Sequence, residues 1–184
     1  MTTIYLFRHG QTTYNKMGIF TGGSDADLTE SGIRECEGIR DKLKDINPTK
    51  AFASDLKRSQ KTLSIVLGEK RPTVIIDKRI KERDYGDLTG KNKEDIAKRF
   101  PKEYPLWHRS YDVAPPNGES IKDVEKRVLE FINDTILKLD KKDVVFISAH
   151  GNSLRPIRRY FEKMSTEEMC SFEHVQGMVY KYEF

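Results

Sequence analysis

Cysteine is scarce: the 184 residues contain only Cys36 and Cys170, far apart and in no metal-type spacing. A disulfide framework needs more cysteines and a secreted context, so both thiols read as reduced. Cys36 falls on the apolar face of a predicted helix, which makes core packing its expected role. Long apolar runs are missing too, and none could span a bilayer. The first ten residues, MTTIYLFRHG, lack the charged start, apolar stretch and small-residue cleavage site of a signal peptide. The expectation is a cytoplasmic protein with no membrane partner. Charge of one sign is not in large excess either. Lys and Arg number 33 against 29 Asp and Glu, a net +4 spread along the chain. That excludes the concentrated basic patch of a nucleic-acid binder but suits a small anionic ligand held by a few focused arginines. No internal repeat, low-complexity tract or linker interrupts the chain, so residues 1–184 read as one domain.

What is present alternates between strand and helix. TIYLF, from Thr3, is short, β-branched and aromatic, and reads as a buried strand. Thr29 looks like the N-cap of a helix with Ile33, Cys36, Ile39, Leu43 and Ile46 on one side. Lys50–Ser54 reads as a second strand, about 56–67 as a helix, and Thr73–Asp77 as a third strand. From Pro101 to Gly118 the chain is rich in proline and aromatics, with a loop at Pro115-Pro116-Asn117-Gly118. The clearest helix starts near Glu119, with an apolar stripe through Ile121, Val124, Val128, Phe131, Thr135 and Leu139. Asp143–His150 is a continuous apolar run and reads as a central parallel strand. Leu154, Ile157, Phe161 and Met164 mark another helix, and the alternating tail VQGMVYKYEF an edge strand. This alternation implies an α/β fold, a three-layer α/β/α sandwich around a mostly parallel sheet.

Two predicted strands end in histidine followed by glycine: Arg8-His9-Gly10 and Ala149-His150-Gly151. Neighbouring parallel strands would bring both imidazoles to one edge of the sheet, beyond the strand carboxyl ends where ligands bind in such folds. Arg8 opposes protonation of His9, which serves a nucleophilic imidazole, and guanidinium binds phosphate bidentately. Arg58 follows the second strand and suits a second phosphate clamp. Glu82 follows the third, and a carboxylate beside a phosphoryl group suits proton transfer to or from oxygen. Trp107 and Tyr104 read as packing for the Pro-rich stretch. His174 reads as a surface or strand-start histidine, and Met164 and Met169 as core and surface filler.

RHGQTTYN, FTGGSDADLT, SDLKRSQKT, ERDYGDLTGKNK, WHRSYDV, PPNGES and AHGNSLR, in that order, resemble the motif set of the histidine phosphatase superfamily. More narrowly they are similar to the 2,3-bisphosphoglycerate-dependent phosphoglycerate mutases, from Ile4 to Tyr182. The resemblance implies that His9 is the phosphorylated nucleophile, surrounded by Arg8, Arg58 and His150, with Glu82 as proton donor and acceptor. It further implies that Asn15, Thr21, Gly22, Tyr85, Lys93, Arg109, Gly151 and Asn152 hold phosphate or the glycerate body. The implied substrate is a small phosphorylated metabolite, and the implied cofactor 2,3-bisphosphoglycerate, which primes His9; no metal is required.

Three departures from the family pattern stand out. His108-Arg109 replaces a pair of arginines, so one distal anion clamp is expected to be weaker or pH-dependent. Gly23 stands where an aromatic is common. Pro115–Gly118 connects directly where typical mutases carry an insertion that helps cover the site, and a shorter cover favours hydrolysis of phospho-His9. The alternative readings are a phosphatase of small phosphomonoesters and, from a different class, a non-catalytic phospholigand-binding module. An exposed edge strand offers a route to a homodimer.

Overall fold

The computed structural model describes residues 1–184. Five strands, β1 (Thr3–Arg8), β2 (Lys50–Ala53), β3 (Thr73–Ile76), β4 (Val144–Ala149) and β5 (Val179–Glu183), form one sheet in the order β3-β2-β4-β1-β5. All neighbours are parallel except β5, which runs antiparallel to β1 at the edge. The fold is thus the expected α/β sandwich with a mostly parallel sheet.

The strand period distributes side chains to two cores. Ile4, Leu6, Val145, Ile147 and Ala149 pack on one face against Val124, Val128 and Phe131 of α6 (Ile121–Asp134) and Leu154 and Ile157 of α7 (Gly151–Glu162). Phe7, Phe146, Ala51 and Ala53 pack on the other against Cys36 and Ile39 of α2 (Glu30–Lys42) and Leu63 and Val66 of α3 (Lys57–Leu67). β4 is buried along nearly its whole length, as its unbroken apolar run requires. Its one polar side chain, Ser148, is satisfied by Ser59 of α3.

Several boundaries differ from the sequence reading. The stripe of α6 stops at Asp134, and a 3-10 turn (Ile136–Lys138) carries the chain toward Leu139, which still packs on the core. Its start is set by Ser120, whose hydroxyl accepts from Asp123 N while the Asp123 carboxylate accepts from Ser120 N. α7 ends at Glu162 with Lys163 left-handed, so Met164 lies beyond the helix. Of the tail, Val175–Met178 stays outside β5. Four short helices carry little periodic signal: α1 (Thr13–Lys16), α4 (Lys93–Arg99), α5 (Glu103–Arg109) and α8 (Thr166–Ser171). α5 forms despite Pro105 because that residue sits in the first turn, where its missing N–H has no intrahelical partner to lose. Tyr104 and Trp107 of α5 pack with Phe20, Tyr85, Leu88 and Ile96 in a third, smaller cluster.

Candidate active site

His9, Ser54 and His150 follow directly on β1, β2 and β4, so parallel pairing brings them to one sheet edge. The register aligns Arg8 with Ala149, and His9 N donates to Ala149 O at 3.0 Å. The two imidazole centroids lie 4.9 Å apart. A ring nitrogen of each and a carboxylate oxygen of Glu82 all fall within 4.8 Å of one another.

Backbone contacts fix the protonation pattern. His9 Nδ1 lies 2.8 Å from Gly10 O. A carbonyl only accepts, so Nδ1 carries the hydrogen and Nε2 holds the lone pair of a neutral ring. Burial, then His150, Arg8 and Arg58, push the His9 pKa well below its ordinary value. His150 is pushed down by burial first and then by Arg58 and Arg8. Its Nε2 lies 2.6 Å from Ser54 Oγ, while its Nδ1 is buried without a partner.

Gly10 holds this strand end down. A β-carbon there would sit 2.3 Å from Gly32 O of α2, so only glycine permits the crossing. Arg58, 2% exposed, donates Nη1 to Ser24 O and Nη2 to Gly22 O, at 2.7 and 2.8 Å. Its Nε and that of Arg8 are buried without acceptors. Glu82 Oε1 accepts from Arg83 N (2.8 Å), Asn152 N (3.1 Å) and Asn152 Nδ2 (3.1 Å). Burial alone would raise the Glu82 carboxyl, but Arg58, the Arg83 N–H and Arg8 hold it down at about 2.

Above this floor opens a pocket whose walls include Arg8, Asn15, Thr21, Gly22, Glu82, Tyr85, Lys93, Arg109, Gly151 and Asn152. Ten of the thirteen residues singled out in the sequence therefore line it, and His9, Arg58 and His150 lie buried beneath. Asn15 spends its Oδ1 on Thr12 N in the cap of α1. Tyr85 OH accepts from Asn152 Nδ2 at 3.0 Å. Lys93 is half-buried with Nζ 5.5 Å from the centre of the Phe20 ring, and burial lowers its pKa. Arg109 pairs with Glu173 at 2.7 Å.

His108 also lines the pocket, stacked on Tyr104 at 5.3 Å. Burial, then Arg109 and Lys93, hold its pKa down at about 4. It is neutral near pH 7, so the clamp lacks one cation rather than switching with pH there. A β-carbon added at Gly23 would meet no other atom within 4 Å, so crowding does not exclude an aromatic at that position.

Four pocket residues were not singled out from the sequence as site residues: Ile19, Arg155, Glu173 and His174. Arg155 stands four residues after Gly151 on α7, and that helical spacing was an available signal. His174 is not a surface histidine. It lies in the pocket wall with both ring nitrogens buried, in an irregular segment that no periodicity marks.

Comparison with known proteins places the chain in a family. The model of the histidine phosphatase superfamily (branch 1) matches residues 4–184. A 2,3-bisphosphoglycerate-dependent phosphoglycerate mutase of Allorhizobium ampelinum is 41% identical, covering 97% of this chain and 89% of that one. A phosphoglycerate mutase of Schizosaccharomyces pombe is also 41% identical, covering 97% and 88%. Among solved structures, Bacillus stearothermophilus YhfR superposes with a TM-score of 0.89 at 27% identity, covering 98% and 90%. The α-ribazole phosphatase of Shigella flexneri superposes with a TM-score of 0.86 at 26% identity, covering 97% and 89%. The chain belongs to branch 1 of the histidine phosphatase superfamily.

Proposed function

We propose that this protein is a cytoplasmic, single-domain, 2,3-bisphosphoglycerate-dependent phosphoglycerate mutase that interconverts 3-phosphoglycerate and 2-phosphoglycerate. The observation that carries the reading is the tautomer of His9. Its Nδ1–H is tied to Gly10 O, so the Nε2 lone pair is free for attack within reach of Glu82.

The site suits an anion. Arg8 Nε, Arg58 Nε and His150 Nδ1 are buried and lack acceptors, which anionic oxygens would supply. His150 Nδ1 is a donor if the Ser54 hydroxyl, which already accepts from Leu56 N, gives its proton to Nε2. The trio His9, Glu82 and His150 is close enough to grip a cation, but Arg8 and Arg58 make the same spot repel one, and the reading uses no metal. 2,3-Bisphosphoglycerate, when bound, supplies the phosphoryl group that loads His9.

In the reaction, His9 Nε2 forms the bond to phosphorus as the ester oxygen leaves, and Glu82 gives that oxygen a proton. Arg8, Arg58 and His150 stabilise the equatorial oxygens of a loose transition state. With its pKa near 2, Glu82 cannot hold that proton in the free site. An anion seated on Arg8 and Arg58 offsets the charges that depress it and moves the carboxyl back toward protonation. Lys93 and Arg109 hold the far end of the glycerate while the phosphoryl group returns to the other hydroxyl.

A second reading, a phosphatase of small phosphomonoesters, rests on the turn at Pro115–Gly118. Asp87 N donates to Pro116 O and Glu119 N to Asp84 O, both at 2.9 Å, which pulls that turn back onto residues 84–87. Water then has easier access to phospho-His9. One coupled assay separates the two: conversion of 3-phosphoglycerate with and without 2,3-bisphosphoglycerate, with phosphate measured in parallel. A mutase is strongly activated by the bisphosphate and isomerises faster than it releases phosphate; the reverse ratio supports the phosphatase. Pairing as a homodimer is part of the proposal, because β3 leaves Val74 and Ile76 about half exposed on the sheet edge. Sedimentation of the purified chain tests it.

A further inference from the structure

Both ring nitrogens of His174 are buried and, with only the Gly151 backbone close by, make no well-formed hydrogen bond, a condition native proteins rarely leave unanswered. The ring lines the same pocket as Glu82 and Lys93. A β-carbon placed on Gly151 would lie 3.7 Å from His174 Nε2 and 3.6 Å from Glu82 Oε2, so the imidazole and the carboxylate face each other across a bare Cα. The ring is not free to wander. It meets Phe172 edge to face, with centroids 4.7 Å apart, and Phe172 lies 3.8 Å from the Arg158 guanidinium. Arg155 stands in the same wall with a buried, unpartnered Nε. Burial, then Arg155 and Arg8, hold His174 neutral with a pKa of about 3. A neutral imidazole beside a guanidinium offers one N–H in a positive field. That suits an anionic oxygen other than those reacting at His9.

Resting on the mutase reading, we infer that His174 is a specificity-determining residue that donates one N–H to the carboxylate of the bound phosphoglycerate. Glu82 then works on the hydroxyl oxygen of the same small molecule.

The test compares 3-phosphoglycerate with glycerol 3-phosphate, which keeps the phosphate and the three-carbon body but has no carboxylate. Calorimetric titration of the full chain gives both affinities. His174→Phe preserves an aromatic ring against Phe172 and removes both nitrogens. It should weaken 3-phosphoglycerate about tenfold, the loss of one hydrogen bond to a charged group, and leave glycerol 3-phosphate within about twofold. His174→Asn, which restores an N–H, should recover part of the preference. Equal weakening of both ligands, or of neither, overturns the inference. If His174→Phe does not fold, His174→Ala carries the same comparison. Loading of His9 by 2,3-bisphosphoglycerate is scored alongside. A native enzyme that loads, with a variant whose selectivity is intact, refutes the role of His174 alone; a native enzyme that never loads refutes the mutase reading.

Discussion

Glu82 shows how one side chain serves two duties. Oε1 is saturated by three N–H donors from Arg83 and Asn152, which leaves Oε2 toward Gly151 and the pocket. Glu82→Gln keeps an acceptor for those donors and abolishes the transferable proton. Its kcat should fall by about 10²–10⁴, the usual worth of general acid–base catalysis, with substrate affinity changed far less. Single-turnover loading of His9 measures this directly. A variant that loads His9 at the native rate would remove Glu82 from the proton path. Arg58 behaves differently, because it is tied to two backbone carbonyls and so also holds the Gly22–Ser24 turn in place. Arg58→Ala should therefore reduce stability as well as anion affinity. Thermal melts with and without phosphate separate the two effects.

The elements place these side chains through a few close contacts. α2 crosses the end of β1 where Gly10 and Gly32 meet, and a β-carbon on Gly32 would lie 2.1 Å from Gln11 O. Gly32→Ala should cost about 1–3 kcal/mol in chemical denaturation and loosen the turn after His9, since added volume in a tight crossing forces backbone shifts. The turn bearing Glu82 is braced by Arg127 of α6, which donates to the carbonyls of Arg79, Lys81 and Glu82 and pairs with Glu119. The sheet and its long helices were legible in the sequence because period 2 and period 3.6 are strong where a whole face is buried: β4 and α6 declare themselves. The short helices were not, since α4 and α5 take their stability from one small cluster rather than from a stripe. At the site, His9, His150, Arg8, Arg58 and Glu82 could be read from chemistry at strand ends. Lys93 and Asn152 needed the family resemblance. His174 was misjudged because its neighbours Gly151 and Glu82 come from other segments and only the fold brings them together.

At the scale of the whole molecule, all four histidines have pKa values below the ordinary range, burial being the largest cause each time. Below about pH 6.5 the unfolded chain binds protons that the folded chain refuses, so stability must fall as pH falls. Each histidine contributes up to about 1.4 kcal/mol per pH unit until its folded pKa is reached, near 4 for His108 and near 3 for His174. The melting temperature should drop steadily from pH 6.5 toward 4; a flat profile over that range would show that the imidazoles are protonated in the fold. The claim on which everything else depends is that one imidazole carries the phosphoryl group. Incubating the protein with 2,3-bisphosphoglycerate, quenching in base and mapping the acid-labile phosphate by mass spectrometry measures it. The account predicts one phosphate per chain, on His9, absent in His9→Ala along with turnover. Phosphate on another residue, or undiminished turnover in His9→Ala, would contradict it.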